Sequence, residues 1–227
     1  MGIFDKKPAA PKRPETEVSR RLHVGCGTEI ISGWCNIDLQ ELPGIDLVLD
    51  VTREFPFSDV DYIFCEHFIE HLRFDDGLRF LEGCWRSLTD GGVLRISTPN
   101  LDWVYLTHYS VEPGRTADRV SNTFMLNRAF YGWGHQFLYS REMMFEVLGA
   151  VRFRDVVECE YGVSDHAALQ GLERHERCEA TPDLPDVLIF EATKREADVE
   201  ERNARDSILR RAQDEFLAML SWKVERG

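Results

Sequence analysis

The sequence lacks any apolar run of the about 18 residues that a membrane-spanning helix requires. Its six cysteines include no Cys-x-x-Cys pair, and their wide spacing favours reduced, buried thiols over a disulfide framework or a zinc ribbon. The N-terminal stretch contains no apolar segment of the kind found in a secretory signal. These absences predict a cytoplasmic protein without a membrane partner.

Basic side chains are scarce in the central part of the chain. Residues 22–193 hold 13 Lys and Arg against 29 Asp and Glu, and the formal net charge of the whole chain is −13. A surface with such an excess of carboxylates repels the phosphate backbone of DNA or RNA. We therefore expect no nucleic-acid partner.

The composition divides the chain into three segments. Residues 1–19 are rich in Pro, Lys and Glu and have no periodicity, which predicts a disordered lead-in. Residues 20–193 alternate short apolar runs with helical segments, which is typical of an α/β domain with a parallel sheet. Residues 194–227 predict a charged amphipathic helix, with Phe216 on its apolar face. Two interpretations of that face remain open: packing on its own domain, or contact with a second copy or a partner protein.

The most informative stretch is the turn Gly25–Cys26–Gly27, which follows a predicted strand. Glycines at such a turn let the backbone pass close to a ligand. The next two predicted strands end in Asp38 and Asp50, and the carboxyl ends of parallel strands share one edge of the sheet. Ile30 stands where a dinucleotide-binding turn has its third glycine, which favours a ligand without phosphates. The turn and the two carboxylates predict a crevice for an adenosine-sized ligand.

Five segments occur in the order found in a known family, namely Val24–Gly27, Asn36–Asp38, Leu49–Val51, Cys65–Leu72 and Leu88–Leu94. With them the chain resembles the class I S-adenosylmethionine-dependent methyltransferases, in particular their small-molecule branch. The resemblance implies a Rossmann-like sheet of seven mostly parallel strands, the last one antiparallel, with helices on both faces. It also implies S-adenosyl-L-methionine as cofactor and methyl transfer to a small molecule, at a hydroxyl or carboxyl oxygen of a sugar or secondary metabolite.

The resemblance implies roles for individual residues of the crevice. The turn Gly25–Cys26–Gly27 faces the methionine part of the cofactor, Asp38 the ribose, and Asp50 with Val51 the adenine. The segment after the fourth strand borders the sulfonium, and Glu66 there is a candidate cofactor contact. The chain departs from the family after the glycine turn, where the connection to the next strand is too short for a full crossover helix.

A hydroxyl acceptor needs a base whose pKa lies near the working pH, and histidine is the usual choice, whereas a carboxylate acceptor needs none. The candidate bases are His67, beside the cofactor's methyl group, His135, in a loop with glycines and aromatics, and His166. The irregular regions 100–139 and 159–186 are expected to form the acceptor pocket. Its candidate residues are Tyr105, Tyr131, Trp133, Asp165, Arg174 and His175.

Two alternatives come from other functional classes. The string His-x-x-Glu-His at residues 67–71 would, on a helix over Glu66–Leu72, place His67 and His71 on one face to bind zinc, with Glu70 as the base of a hydrolase. The second alternative is a catalytically inactive nucleoside-binding or scaffolding protein that uses its C-terminal helix. The main prediction contains no metal.

Overall fold

The computed structural model describes residues 20–109, 116–175 and 184–195, together with the helical tail positions Asp214, Phe216 and Ala218. The predicted lead-in over residues 1–19 lies outside the described residues, as does most of the tail. Phe216 packs against Phe74 and Phe137, with ring centroids 6.2 and 5.6 Å away. At this position the tail therefore contacts its own domain.

Seven strands form one sheet. They are β1 (Arg21–Val24), β2 (Cys35–Asp38), β3 (Leu47–Val48), β4 (Val60–Glu66), β5 (Leu88–Pro99), β6 (Phe153–Glu158) and β7 (Val187–Lys194). Their order in the sheet is β3-β2-β1-β4-β5-β7-β6, and β7 alone of these runs antiparallel to its neighbours. The predicted Rossmann-like sheet, mostly parallel with an antiparallel last strand, is confirmed.

Four α-helices accompany the described strands: α1 (Phe74–Ser87), α2 (Leu101–His108), α3 (Thr116–Asn127) and α4 (Arg141–Ala150). Asn100 caps α2 by accepting a hydrogen bond from the Asp102 amide, and Ser140 caps α4 in the same way from the Met143 amide. A π-helical turn, Arg128–Gly132, follows α3. None of the helices in the described part of the chain is both long and apolar enough to cross a membrane.

The two faces of the sheet are covered differently. On one face, helices α1 and α4 pack on the strands through side chains such as Phe80 and Leu148. On the other face, Phe64 and Val93 are covered by Trp34, Leu169 and Leu172, which lie outside helices and strands. The connection between β1 and β2 contains no helix, as its short length predicts. In the described ranges, the residues that cover Phe64 and Val93 are therefore not helical.

Arg95 lies in a buried ion network that anchors residues 159–175 on the sheet. Its Nε lies 2.6 Å from Glu173 Oε1, and its Nη1 lies 2.6 Å from Glu191 Oε1 and 3.0 Å from the Val163 carbonyl. Glu173 also accepts a hydrogen bond from the Gly162 amide. Because Glu191 belongs to β7 and Glu173 to the segment before it, the network ties residues 159–175 to the sheet.

The strand order reverses between β1 and β4, because β2 and β3 extend the sheet in one direction and β5 in the other. In parallel sheets of this kind, ligands bind outside the carboxyl ends of the strands at the point of reversal. This is the position of the cavity described next.

Candidate functional site

A cavity of about 440 Å³ opens at the carboxyl ends of β1 to β4. Its volume lies within the range of small-molecule sites, about 300–1,000 Å³. Its lining comes from the residues that follow these strands: Val24, Gly25, Ile37, Asp38, Leu39, Gln40, Leu49, Asp50, Val51, Thr52, His67, Phe68, His71 and Leu72. Five of the residues predicted for the site are among them: Gly25, Asp38, Asp50, Val51 and His67.

The glycine turn has the left-handed backbone that its sequence predicts, with φ of +65° at Gly25 and +52° at Gly27. A Cβ at Gly25 would overlap the ring of Phe68. The Gly25 and Cys26 amides both donate to the Ile37 carbonyl, at 2.9 and 3.2 Å. The turn is therefore fixed between β2 and Phe68, and a side chain at Gly25 would not fit.

Two carboxylates lie at the neighbouring strand ends and are held by local amides. Asp38 accepts hydrogen bonds from the Gly27 and Gln40 amides, each at 2.9 Å, so it links the glycine turn to the end of β2. Asp50 accepts from the amide and the hydroxyl of Thr52, at 3.1 and 2.6 Å. Each carboxylate oxygen has further lone pairs, so both groups can still accept hydrogen bonds from a ligand.

His67 and Glu70 form a dyad at the cavity wall. Nδ1 of His67 lies 3.0 Å from Glu70 Oε1, and Glu70 is fully buried, with its other oxygen accepting from the Thr98 hydroxyl at 3.1 Å. Because an ionised carboxylate can only accept, the neutral imidazole carries its proton on Nδ1 and a lone pair on Nε2. That Nε2 is buried and finds no hydrogen-bond partner in the described part of the chain. A buried histidine with this polarity is suited to accept a proton.

The prediction of a helix over Glu66–Leu72 is wrong, because β4 continues through Glu66 and only a 3₁₀ turn, Ile69–His71, follows. His67 has φ of +47°, and its amide donates to the Ser97 carbonyl, which ends the strand with a sharp turn instead of a helix. His67 and His71 consequently do not share a helical face, as the zinc hydrolase requires. The described side chains that could hold a metal together are instead Glu70, His71 and His135, whose ligand atoms lie within 4.8 Å of one another.

Glu66 holds the segment before β7 and does not line the cavity. Its carboxylate accepts hydrogen bonds from the amides of Arg174, at 3.0 Å, and His175, at 3.1 Å. The imidazole Nδ1 of His175 is 3.5 Å from Glu66, and its ring lies 4.1 Å from the ring of His67. The Arg174 guanidinium donates to the carbonyls of Gly171 and Glu173 in its own segment. Glu66 therefore holds the His175 ring against that of His67, but neither Arg174 nor His175 lines the cavity, and their role at an acceptor stays a prediction.

None of the remaining predicted residues is among those that line the cavity, although Cys26 and His135 lie next to residues that do. Burial raises the pKa of the Cys26 thiol to about 11, and this side chain does not line the cavity. His135 comes close, with its ring 5.0 Å from that of His71 and its Nδ1 donating to the Ala129 carbonyl at 2.7 Å, and burial lowers its pKa. The others lie outside the cavity: Tyr105, Tyr131 and Trp133 are exposed, as is Asp165, and His166 packs on Tyr62 early in β4.

Sequence reasoning missed the residues that orient His67. From the sequence, Glu70 is considered only as the base of a zinc hydrolase, although its position three residues after His67 indicates that the two side chains can contact each other. Thr98 and Phe68 carry no signal of their own, because their roles depend on where the ends of β5 and β4 meet in space.

The ion pair between Glu66 and His175 depends on pH. The hydrogen bond to Glu66 raises the pKa of His175 above its ordinary value of 6.5. Burial would raise the pKa of Glu66, but hydrogen bonds from His175 and Arg174 outweigh it, so the pKa falls below its ordinary value of 4.5. The histidine's contribution to stability is present below pH 6.5 and is lost as the pH rises through its raised pKa. The carboxylate's contribution is present above pH 4.5 and is lost as the pH falls through its lowered pKa.

We expect the wild type to melt about 1–3 °C above His175→Gln near pH ~5.5, with the difference shrinking towards pH ~8.5, because the His175 side chain is half exposed and such pairs contribute little. Thermal melts across this pH range measure the effect. The matched control is His166→Gln, which changes a histidine away from the pair and should show no such trend. A difference between wild type and His175→Gln that stays constant with pH would contradict the assignment.

No family model and no curated protein matches this chain. Similar solved structures include a SAM-dependent methyltransferase from Archaeoglobus fulgidus, 16% identical, over 77% of this chain and 85% of that one, with a TM-score of 0.49. Another is a SAM-dependent methyltransferase from Thermotoga maritima, described as a possible histamine N-methyltransferase, at 15% identity, 78% and 82% coverage, and a TM-score of 0.47. An O-methyltransferase family protein from Burkholderia thailandensis is 12% identical, with 78% and 51% coverage and a TM-score of 0.44.

Proposed function

We propose that this chain transfers a methyl group from S-adenosyl-L-methionine to an oxygen of a small-molecule acceptor, with His67 as general base. The observation that carries the proposal is the His67–Glu70 dyad: His67 lines the cavity beside the glycine turn, and its buried Nε2 has no hydrogen-bond partner in the described part of the chain. A cytoplasmic location and a sugar or secondary metabolite as acceptor are part of the same proposal, as are contacts with other copies through tail residues other than Phe216, which packs on its own domain.

The donor set of the cavity fits this cofactor. Its lining includes the carboxylates Asp38 and Asp50, of which Asp50 also pairs with the exposed Arg53 at 3.0 Å, and the described lining residues include no Lys or Arg. Such a surface favours a ligand that carries positive charge and no phosphate. A sulfonium nucleoside with an amino group meets both conditions. The turn at Gly25 leaves the backbone close to the cavity, where a side chain would collide with Phe68.

Bound S-adenosyl-L-methionine supplies a methyl group on a positively charged sulfur, which leaves as a neutral thioether. The chain's own residues bind and orient. Asp38, fixed by the Gly27 and Gln40 amides, would accept hydrogen bonds from the two ribose hydroxyls, and Asp50 with Val51 would border the base. His67 Nε2 takes the proton of an acceptor hydroxyl, and Glu70 holds the ring in the required tautomer and stabilises the imidazolium that forms.

Isothermal titration calorimetry with S-adenosyl-L-methionine and with S-adenosylhomocysteine tests the proposal. We expect both to bind with a Kd below about 100 µM, in the range of enzyme substrates. Asp38→Asn should weaken binding about 10- to 100-fold, because a hydrogen bond to a charged acceptor contributes about 1.5–3 kcal/mol.

The matched control is Asp102→Asn, which changes an exposed carboxylate at the start of α2 and should leave the affinity as it is. Absence of binding of either compound at about 1 mM, a Kd equivalent to only about −4 kcal/mol, would exclude the proposed cofactor. Binding without transfer to any acceptor would favour the inactive nucleoside-binding protein instead.

A further inference from the structure

Three side chains capable of binding a metal converge next to the His67–Glu70 dyad: Glu70, His71 and His135, with ligand atoms within 4.8 Å of one another. Two of them, Glu70 and His135, are buried. We propose that these three residues bind one divalent transition-metal ion of the zinc class. The set differs from the zinc alternative drawn from the sequence, because His135 takes the place of His67.

The hydrogen bonds around two of the three side chains, His135 and Glu70, are those expected of metal ligands. His135 donates its Nδ1–H to the Ala129 carbonyl at 2.7 Å, which leaves the lone pair of Nε2 as its ligand atom. A ligating histidine almost always gives its second ring nitrogen to such an oxygen, because this fixes the tautomer and the ring plane. The Glu70 carboxylate is itself held on both oxygens, by His67 and Thr98, as ligating carboxylates commonly are.

The backbone joins the two segments that carry the ligands. The amides of Gln136 and Phe137 donate to the Glu70 carbonyl, at 2.7 and 3.2 Å. The side-chain amide of Gln136 donates to the His71 carbonyl at 2.7 Å. Residues 70–71 and 135 are far apart in sequence, so these bonds hold their side chains together without an ion. The site is therefore preorganised by the fold, which lowers the cost of binding a metal.

The chemistry of the ligands selects the class of ion. Imidazole nitrogens suit zinc, cobalt, nickel and iron, whereas magnesium and calcium prefer oxygen ligands. Three protein ligands leave at least one position of a zinc-type ion open. His71 lines the cavity, so the cluster borders the space proposed for the ligand.

The ion deepens the proposed function, on which this role rests: an acceptor whose hydroxyl oxygen binds the ion has its pKa lowered. The O–H proton passes to His67 Nε2, and the electron pair of that bond stays on the acceptor oxygen. Glu70 can contact both the ion and His67, because one of its oxygens faces His67 and a carboxylate oxygen has more than one lone pair. The substrate class is thus a small molecule with a metal-binding hydroxyl.

Titration of the purified full-length protein with Co²⁺, followed by visible absorption and without any S-adenosyl-L-methionine present, tests the site. We expect one ion per chain with the absorption bands of nitrogen-ligated cobalt, displaced by Zn²⁺. His71→Ala and His135→Ala should each weaken binding at least about 100-fold, because each removes a ligand that metal affinity depends on. The matched control His108→Ala removes a histidine that contacts Trp103 and Thr107, away from the cluster, and should bind like the wild type.

Circular dichroism of each variant shows whether it is folded, and Gln136→Ala, which leaves all three ligands in place, should weaken binding less than either histidine variant. No stoichiometric binding by the folded wild type would overturn the inference, as would equal binding by wild type, His71→Ala and His135→Ala. Because the titration contains no cofactor, its outcome is independent of whether S-adenosyl-L-methionine binds. If the protein binds the ion but not S-adenosyl-L-methionine, the inference of a metal site stands and the proposed methyl transfer is refuted.

Discussion

His67→Ala is expected to lower the turnover of a hydroxyl acceptor about 100- to 10,000-fold, the usual contribution of a positioned base. Its affinity for S-adenosyl-L-methionine should stay close to that of the wild type, because the ribose and the adenine are assigned to Asp38, Asp50 and Val51. The loss therefore falls on the chemical step. Release of S-adenosylhomocysteine in the presence of a panel of small hydroxyl compounds measures turnover, and calorimetry measures the affinity.

The physical reason for this expected loss is the environment of the His67 ring. Its side chain is 17% exposed, its Nδ1 is held by the fully buried Glu70, and its Nε2 has no partner in the described ranges of the chain. Leaving a buried polar atom without a hydrogen bond costs about 1–3 kcal/mol. The left-handed backbone of His67, at φ of +47°, adds to this cost. A ligand that donates a hydrogen bond to Nε2 would relieve the first of these costs.

Measured with divalent metal removed by EDTA, so that the loss of a ligand of the proposed metal site plays no part, Glu70→Gln separates the orientation of His67 from proton transfer. The amide keeps the size of the carboxylate and removes its charge, so the imidazolium loses its stabilisation while the ring stays in place. We expect a smaller loss of turnover than for His67→Ala. His166→Ala tests the competing base candidate, whose ring lies against Tyr62 early in β4. Full turnover of His67→Ala, or its loss only in His166→Ala, would contradict the assignment.

The strands and the cofactor edge could be predicted from the sequence because their signals are local. A buried strand needs a short apolar run, as β4 and β7 have, whereas β2, with the sequence Cys-Asn-Ile-Asp, is marked by the acid that ends it. The residue that follows such a strand lies at the carboxyl edge, which is why Asp38 and Asp50 could be placed at the cavity wall that they line. The glycine turn is equally local, because its left-handed backbone is required by the residues themselves.

The acceptor side could not be predicted because its contacts join distant parts of the chain. Glu66 accepts hydrogen bonds from the amides of Arg174 and His175, which lie more than a hundred residues later in the chain. The motif that contains Glu66 therefore could not predict these contacts. The aromatic residues of the region 100–139 have the same composition whether they line a pocket or lie on the surface. Tyr131, at 76% exposure, belongs to the surface in this structure.

Arg95→Met is expected to lower the free energy of unfolding by about 3–5 kcal/mol, the usual result of removing one partner from a buried ion network. The melting temperature of a chain of this size should then fall by about 6–20 °C. Arg95 is fully buried between Glu173 and Glu191, at 2.6 Å from each. Without the guanidinium, two carboxylates remain buried beside each other and must be protonated or exposed to water.

The triple variant Arg95→Met, Glu173→Gln, Glu191→Gln decides whether charge or packing causes the loss. Neutral amides remove the uncompensated charges, and the side-chain amide oxygen introduced by Glu173→Gln would still accept from the Gly162 amide, so the triple variant should recover most of the lost stability. The matched control Arg79→Met breaks only half-exposed pairs on α1 and should change stability by less than about 1 kcal/mol. Urea unfolding of all four proteins gives the comparison. If the triple variant is as unstable as Arg95→Met, packing of the arginine side chain, and not its charge, holds residues 159–175 on the sheet.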